Sequence, residues 1–139
     1  MNYILNESEM FADINEGTAI VINSQTGIYY GMNGFGTSVF ENLLAGSSVE
    51  DVVAAAKSLS GAPAGVETAL EAFLQTLSGF RIVLPADAPS SRPAELDAAA
   101  AAADAFTPEC KEYRDVQELL YADPIHEVEE ETGWTPEKS

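Results

Sequence analysis

Residues 18–32 read TAIVINSQTGIYYGM, two short apolar runs around a turn. Ala19-Ile20-Val21-Ile22 is apolar and mostly β-branched, which suits a pleated surface. Ser24-Gln25-Thr26-Gly27 supplies turn residues, and Gly27 is free to take a positive φ. Ile28-Tyr29-Tyr30-Gly31-Met32 returns as a second strand, which Asn33-Gly34 ends. This pattern predicts a β-hairpin. Side chains along each strand alternate between two faces. One face packs on a core. The other needs a cover: a helix, a second copy or a partner chain.

Upstream, Met10-Phe11-Ala12-Asp13-Ile14 is a further strand, and Asn15-Glu16-Gly17 turns it into the hairpin. The expected sheet is a three-stranded antiparallel meander. Asn2-Tyr3-Ile4-Leu5 has the composition of a short first strand. Downstream, GTSVFENLLA at 36–45 places Val39, Phe40, Leu43 and Leu44 at helical spacing and stops at Gly46. Ser47 or Ser48 caps a second helix running to about Leu59, with Glu50 and Asp51 in its first turn. A third helix, Val66 to about Ser78, carries Val66, Ala69, Leu70, Phe73, Leu74 and Leu77 on one stripe. Phe80-Arg81-Ile82-Val83-Leu84 is a last extended piece, ended by Pro85. The expected class is α+β, winged helix-turn-helix-like, a three-stranded antiparallel sheet packed on three helices.

The chain beyond Pro85 changes character. Residues 86–108 are rich in Ala, Pro, Ser and Asp and predict a flexible or weakly helical linker. Residues 109–139 form an acidic tail. There Asp115 caps a short helix over Val116–Tyr121, and a DPIHEV segment follows. The division is therefore 1–85, 86–108 and 109–139.

The net charge is −17, six basic residues against 23 acidic, which excludes a phosphate-binding surface and an anionic membrane surface. The third helix has only Glu67 and Glu71 as charges, so it cannot serve as a DNA-reading helix. Fourteen of the acidic residues lie beyond Pro85, so the folded part is only mildly acidic. A single cysteine, Cys110, rules out an intramolecular disulfide framework and a thiolate metal cluster. No run has signal-peptide or membrane-span length, which predicts a cytoplasmic protein.

Residues for chemistry are few. The lone histidine, His126, and Cys110 are separated by the predicted tail helix, and nothing pairs them. The glycines of GMNGFG, residues 31–36, do not match the phosphate-binding pattern and read as a strand-to-helix turn. Glu129-Glu130-Glu131 reads as a solvated run. The expectation is a binding protein, not an enzyme, with no catalytic residue, metal or cofactor.

With these residues in view, the chain resembles the PqqD family over residues 8–84. The pattern is a strand of aliphatics, a turn, an aromatic strand ending in Met-Asn, then helices. Here it reads AIVINSQTGIYYGMNGFGTSVFENLLAG, SSVEDVVAAAKS and VETALEAFLQTLSGFRIV. The resemblance implies a peptide chaperone of pathways that modify ribosomally made peptides. It implies that a precursor's leader adds as a strand to the sheet edge and is presented to a modifying enzyme. By position, the edge is Ile28, Tyr29, Tyr30, Gly31 and Met32. The groove wall is Thr68, Leu70, Ala72, Phe73, Thr76 and Leu77. That wall has no basic residue, so an apolar-anchored leader suits it better than an acidic one.

The alternative function is a structural or regulatory adaptor whose tail docks on its own or a neighbouring domain. The tail's apolar anchors are Leu119, Leu120, Ile125, Val128 and Trp134. Their candidate surfaces are the groove, a second copy or the modifying enzyme, and the acidity of the tail favours the enzyme. A homodimer stays open.

Overall fold

The computed structural model describes residues 2–87 and 93–113. Strand β1 (Asn2–Leu5) leads into β2 (Met10–Asn15), β3 (Thr18–Asn23) and β4 (Tyr29–Met32). Glu16 and Gly17, with φ of 53° and 77°, make the tight turn between β2 and β3. Two consecutive positive φ angles match the twist of a hairpin. The meander is therefore present. β2 pairs with β3 from Met10↔Asn23 to Asn15↔Thr18, and β3 pairs with β4 from Ile20↔Gly31 to Ile22↔Tyr29.

Helix α1 (Gly34–Leu44) follows β4 directly. It starts two residues earlier than its apolar spacing predicts, because the Asn33 side chain caps it by accepting from Gly36 N. Helix α2 (Val49–Lys57) is capped by Ser48, whose side chain and that of Asp51 bond each other's backbone N–H. Helix α3 (Val66–Gly79) closes on Arg81, which takes the left-handed conformation (φ 63°) usually left to glycine. Asn6 Nδ2 donates to the Arg81 carbonyl at 3.0 Å, and the Arg81 guanidinium meets Glu9 at 2.9 Å. That guanidinium holds the Glu9 carboxyl below the usual carboxylate range.

Strand β5 (Val83–Ala86) returns antiparallel to β1, as a separate two-stranded sheet. Pro85 is tolerated there because each strand of the pair has an outer edge needing no donor. α1 runs through the middle of the core: Phe35 to Phe40 are all buried. Its Thr37 Oγ1 accepts from Ala19 N of β3 at 2.8 Å, tying helix to sheet. Val21, Tyr30 and Met32 from the sheet, Val52 and Ala56 from α2, and Leu70, Leu74 and Leu77 from α3 close around it.

Two expectations need correction. The meander carries a fourth strand, β6 (Cys110–Tyr113), so the order is β2-β3-β4-β6. The stretch 86–108, read as a flexible or weakly helical linker, contains a helix, α4 (Ala98–Ala103), so the described residues hold four helices rather than three. Asp97 caps α4, and Ala101 is fully buried in the core cluster. Alanine's small side chain lets α4 approach α1 closely. Its composition hid this, because a run of one residue type has no polar and apolar faces to reveal packing.

Candidate functional site

The candidate site is the edge of β4 away from β3, with the groove between it and α3. Strand direction decides which β4 groups face that groove. The Ile28 carbonyl accepts from Asn23 N on the β3 side, and Asn33 N donates to the Glu109 carbonyl on the other side, at 3.1 Å. Alternation along the strand then turns Ile28, Tyr30 and Met32 toward β3, and Tyr29, Gly31 and Asn33 toward the groove. The β4–β6 register agrees: Tyr29↔Tyr113 and Gly31↔Lys111 are the hydrogen-bonding positions.

The groove is occupied by the chain itself. β6 lies antiparallel on β4, and α3 lies against its other side. Ahead of β6, the segment is held at several points. Asn33 clasps it with Nδ2 donating to the Thr107 carbonyl at 2.9 Å and Oδ1 accepting from Glu109 N at 3.0 Å. Asp104 Oδ2 accepts from Phe35 N at 2.8 Å, a carboxylate at the N-terminus of α1 where the helix dipole favours it. Phe106 meets Phe35 edge-on, ring centres 6.4 Å apart. Pro108 is buried. Further back, Asn42 clasps the backbone of Glu95 in the same two-handed way, at 3.0 and 2.9 Å.

The glycines of GMNGFG belong to this contact. A Cβ on Gly36 would lie 2.9 Å from the Glu109 carbonyl oxygen and 2.9 Å from Asn33 Oδ1. A Cβ on Gly34 would lie 3.2 Å from the Ala100 side chain. The strand-to-helix turn is therefore shaped to receive residues 100–109. Gly36→Ala should push the segment off while leaving the core intact, at a cost of about 1–3 kcal/mol. The expected sign is faster alkylation of Cys110, read by mass spectrometry, with an unchanged circular dichroism spectrum.

Between the docked strand and α3 there remains a cleft of about 270 Å³, lined by Ala69, Ala72, Phe73 and Thr76 of the helix and by Cys110 and Lys111. Of the six wall residues read from the sequence, Ala72, Phe73 and Thr76 line it. Leu70 and Leu77 are fully buried in the core instead. Thr68 is exposed and does not line the cleft. Ala69, which the sequence placed on the apolar stripe, also lines it. On the edge, Tyr30 and Met32 turn their side chains into the core. Tyr29 and Gly31 stand on the outer face of the sheet. There Phe11, Ile22, Tyr29 and Tyr113 form one cross-strand row. Asn33, Gly36 and Asp104 were missed as contact residues. Their signal was a helix cap beside unusually frequent glycines.

Cys110 is half-buried, and burial pushes its thiol up to about 12. A thiol so held is not a nucleophile near neutral pH. Among the described residues no cluster of histidine, cysteine and carboxylate side chains is placed to hold a metal ion, and no helix is long and apolar enough to cross a membrane. His126, Leu119, Leu120, Ile125, Val128 and Trp134 lie outside the described residues.

Residues 18–83, from β3 to the first residue of β5, match the family model of PqqD, described as Coenzyme PQQ synthesis protein D. Over these residues the chain is similar to PqqD. No curated protein and no solved structure matches it. The match spans β4 and α3, so both walls of the groove lie within the matched residues. The segment that fills the groove, residues 104–113, lies outside the matched span.

Proposed function

We propose that this PqqD-like protein recognises a leader-type peptide segment by strand addition on β4, beside α3, and holds the attached peptide for a modifying enzyme. The observation that supports the reading is the β4 edge itself. It carries an extended segment in register, with the groups of Tyr29 and Gly31 turned toward it and the helix wall of Ala69, Ala72, Phe73 and Thr76 alongside. Main-chain pairing supplies affinity in such a groove, and the wall reads alternate side chains. The wall is apolar, hydroxylic and uncharged, which suits small apolar anchors on the bound segment. The second reading, an adaptor whose tail docks on its own domain, also has support, because Cys110–Tyr113 is the first part of that tail.

Proline placed along β4 tests strand addition. Gly31→Pro and Tyr29→Pro remove donors facing the groove. Tyr30→Pro removes one facing β3 and should damage the fold instead. Leader segments of precursor peptides encoded beside the gene serve as titrants, added to the full chain carrying Lys111→Pro so that its own strand is weakened. Amide shifts should map to β4 and α3. Adding Gly31→Pro should weaken binding at least about tenfold, the equivalent of one lost hydrogen bond of about 1.4 kcal/mol. Binding that ignores both groove-facing prolines rejects strand addition at this edge.

A further inference from the structure

The PqqD-like groove is filled by residues of the same chain, and the fit is built from both sides. Asn33 spends three hydrogen-bonding groups on Thr107 and Glu109. Gly36 leaves no room for a side chain under Glu109. Asp104 occupies the N-terminus of α1, and Phe106 rests edge-on against Phe35. β6 then completes the sheet from Met32↔Cys110 to Tyr29↔Tyr113. These contacts fall at Asp104, Phe106, Thr107 and Glu109 and then along the strand from Cys110 to Tyr113. A groove shaped to admit separate peptides has no need of a resident segment so closely matched to the helix start.

Resting on the strand-addition reading, we propose that the groove's ligand is covalently part of this chain. Residues 104–113 are its recognition segment, carried in cis. The protein joins reader and leader in one molecule.

Tethering makes a separate leader a weak competitor in this reading. A short tether gives an effective concentration of about 1 mM. Against an intrinsic Kd of about 10 µM, a resident segment at that concentration weakens an incoming peptide about 100-fold. A separate leader therefore reaches the groove only where the resident strand has been disabled.

The experiment uses a synthetic fluorescent peptide, DAFTPECKEY, which copies residues 104–113. Its binding is measured by anisotropy with the full chain and with full-chain Lys111→Pro, which removes the β6 donor opposite Gly31. Tyr113→Pro is the second variant, should the first disturb folding. The expected result is binding by both variants and about tenfold weaker binding by the unmodified chain, since each variant removes one hydrogen bond of the resident strand. Amides at 111 and 113 should also be protected in the unmodified chain, independently of protein concentration. Equal affinity for the unmodified chain and the variants overturns the cis ligand but leaves strand addition standing. Protection that grows with concentration also overturns it, since the strand then comes from a second copy. Folded variants that bind no peptide remove the proposal together with the strand-addition reading.

Discussion

Iodoacetamide at about pH 8 should alkylate Cys110 at least about a thousandfold more slowly in the folded chain than in urea. The thiolate is the reacting species. In the unfolded chain the thiol titrates near its ordinary value of 9.0, whereas in β6 burial pushes it up to about 12. Three decades separate those values, so the folded chain holds about a thousandfold less thiolate, before any steric protection by α3. The same difference makes docking pH-dependent. A thiol that stays protonated in the docked state favours docking below the unfolded value. That contribution is fully present below about pH 9. It is lost as pH rises from about 9 to about 12, at about 1.4 kcal/mol per pH unit. Alkylation should therefore accelerate with pH more steeply than a free thiol does, while Gly36→Ala shifts the whole curve toward the unfolded rate. Equal rates in the folded and urea-unfolded chains would mean that β6 is not docked.

Phe35→Ala should lower stability by about 3–5 kcal/mol, the range for removing a buried phenylalanine. Phe35 is fully buried at the first turn of α1. It contacts the core on one side and Phe106 of the docked segment on the other. Small domains have only about 5–15 kcal/mol in hand, so the melting temperature should fall by roughly 10–20 °C. The partner residue separates the two roles. Phe106 is half-buried, and Phe106→Ala should cost less, about 1 kcal/mol, mostly by loosening residues 104–109. A double-mutant cycle should return a coupling of about 0.5–1.5 kcal/mol, the worth of an edge-to-face pair. Calorimetry of the two single variants and the double variant measures all of this. A shift of only a few degrees for Phe35→Ala would mean that α1 does not form the centre of the core.

Where local chemistry decides structure, the sequence was legible. The Asn15-Glu16-Gly17 turn and the alternating residues of 18–23 place β2 and β3 within a residue of the expected bounds. Ser48 caps α2 with Asp51 three residues on, as serine before an acidic turn predicts. The stripe Val66, Leu70, Phe73, Leu74, Leu77 is buried along α3. In each case the signal lies within one or two turns of chain.

The groove was expected from the family resemblance rather than from local reading, and the facing of its residues was legible from neither. Leu70 and Phe73 stand on one apolar stripe. Both are buried, and only the tertiary placement of α3 beside β6 lets Phe73 also line the cleft while Leu70 does not. Tyr30 and Tyr29 are equally aromatic, and the pairing register with β3 sends one inward and one outward.

Docking of the tail on its own domain was one of the open readings, but the segment that does so, and its strand character, were not legible. Cys110-Lys111-Glu112-Tyr113 is four residues with two charges, too short and too polar to carry a strand period. It becomes a strand because β4 offers unpaired backbone groups and Asn33, across 76 residues, fixes Glu109 opposite its own position. The alanine run became a helix against α1 because a buried alanine face lets backbones approach closely. Strand, turn and helix identities were thus written in neighbouring residues, through φ preference, capping and apolar period. Tertiary structure alone decided which edge was already taken, because that depends on a contact between residues far apart in the chain, whose pairing energy appears only once the sheet and α1 have formed.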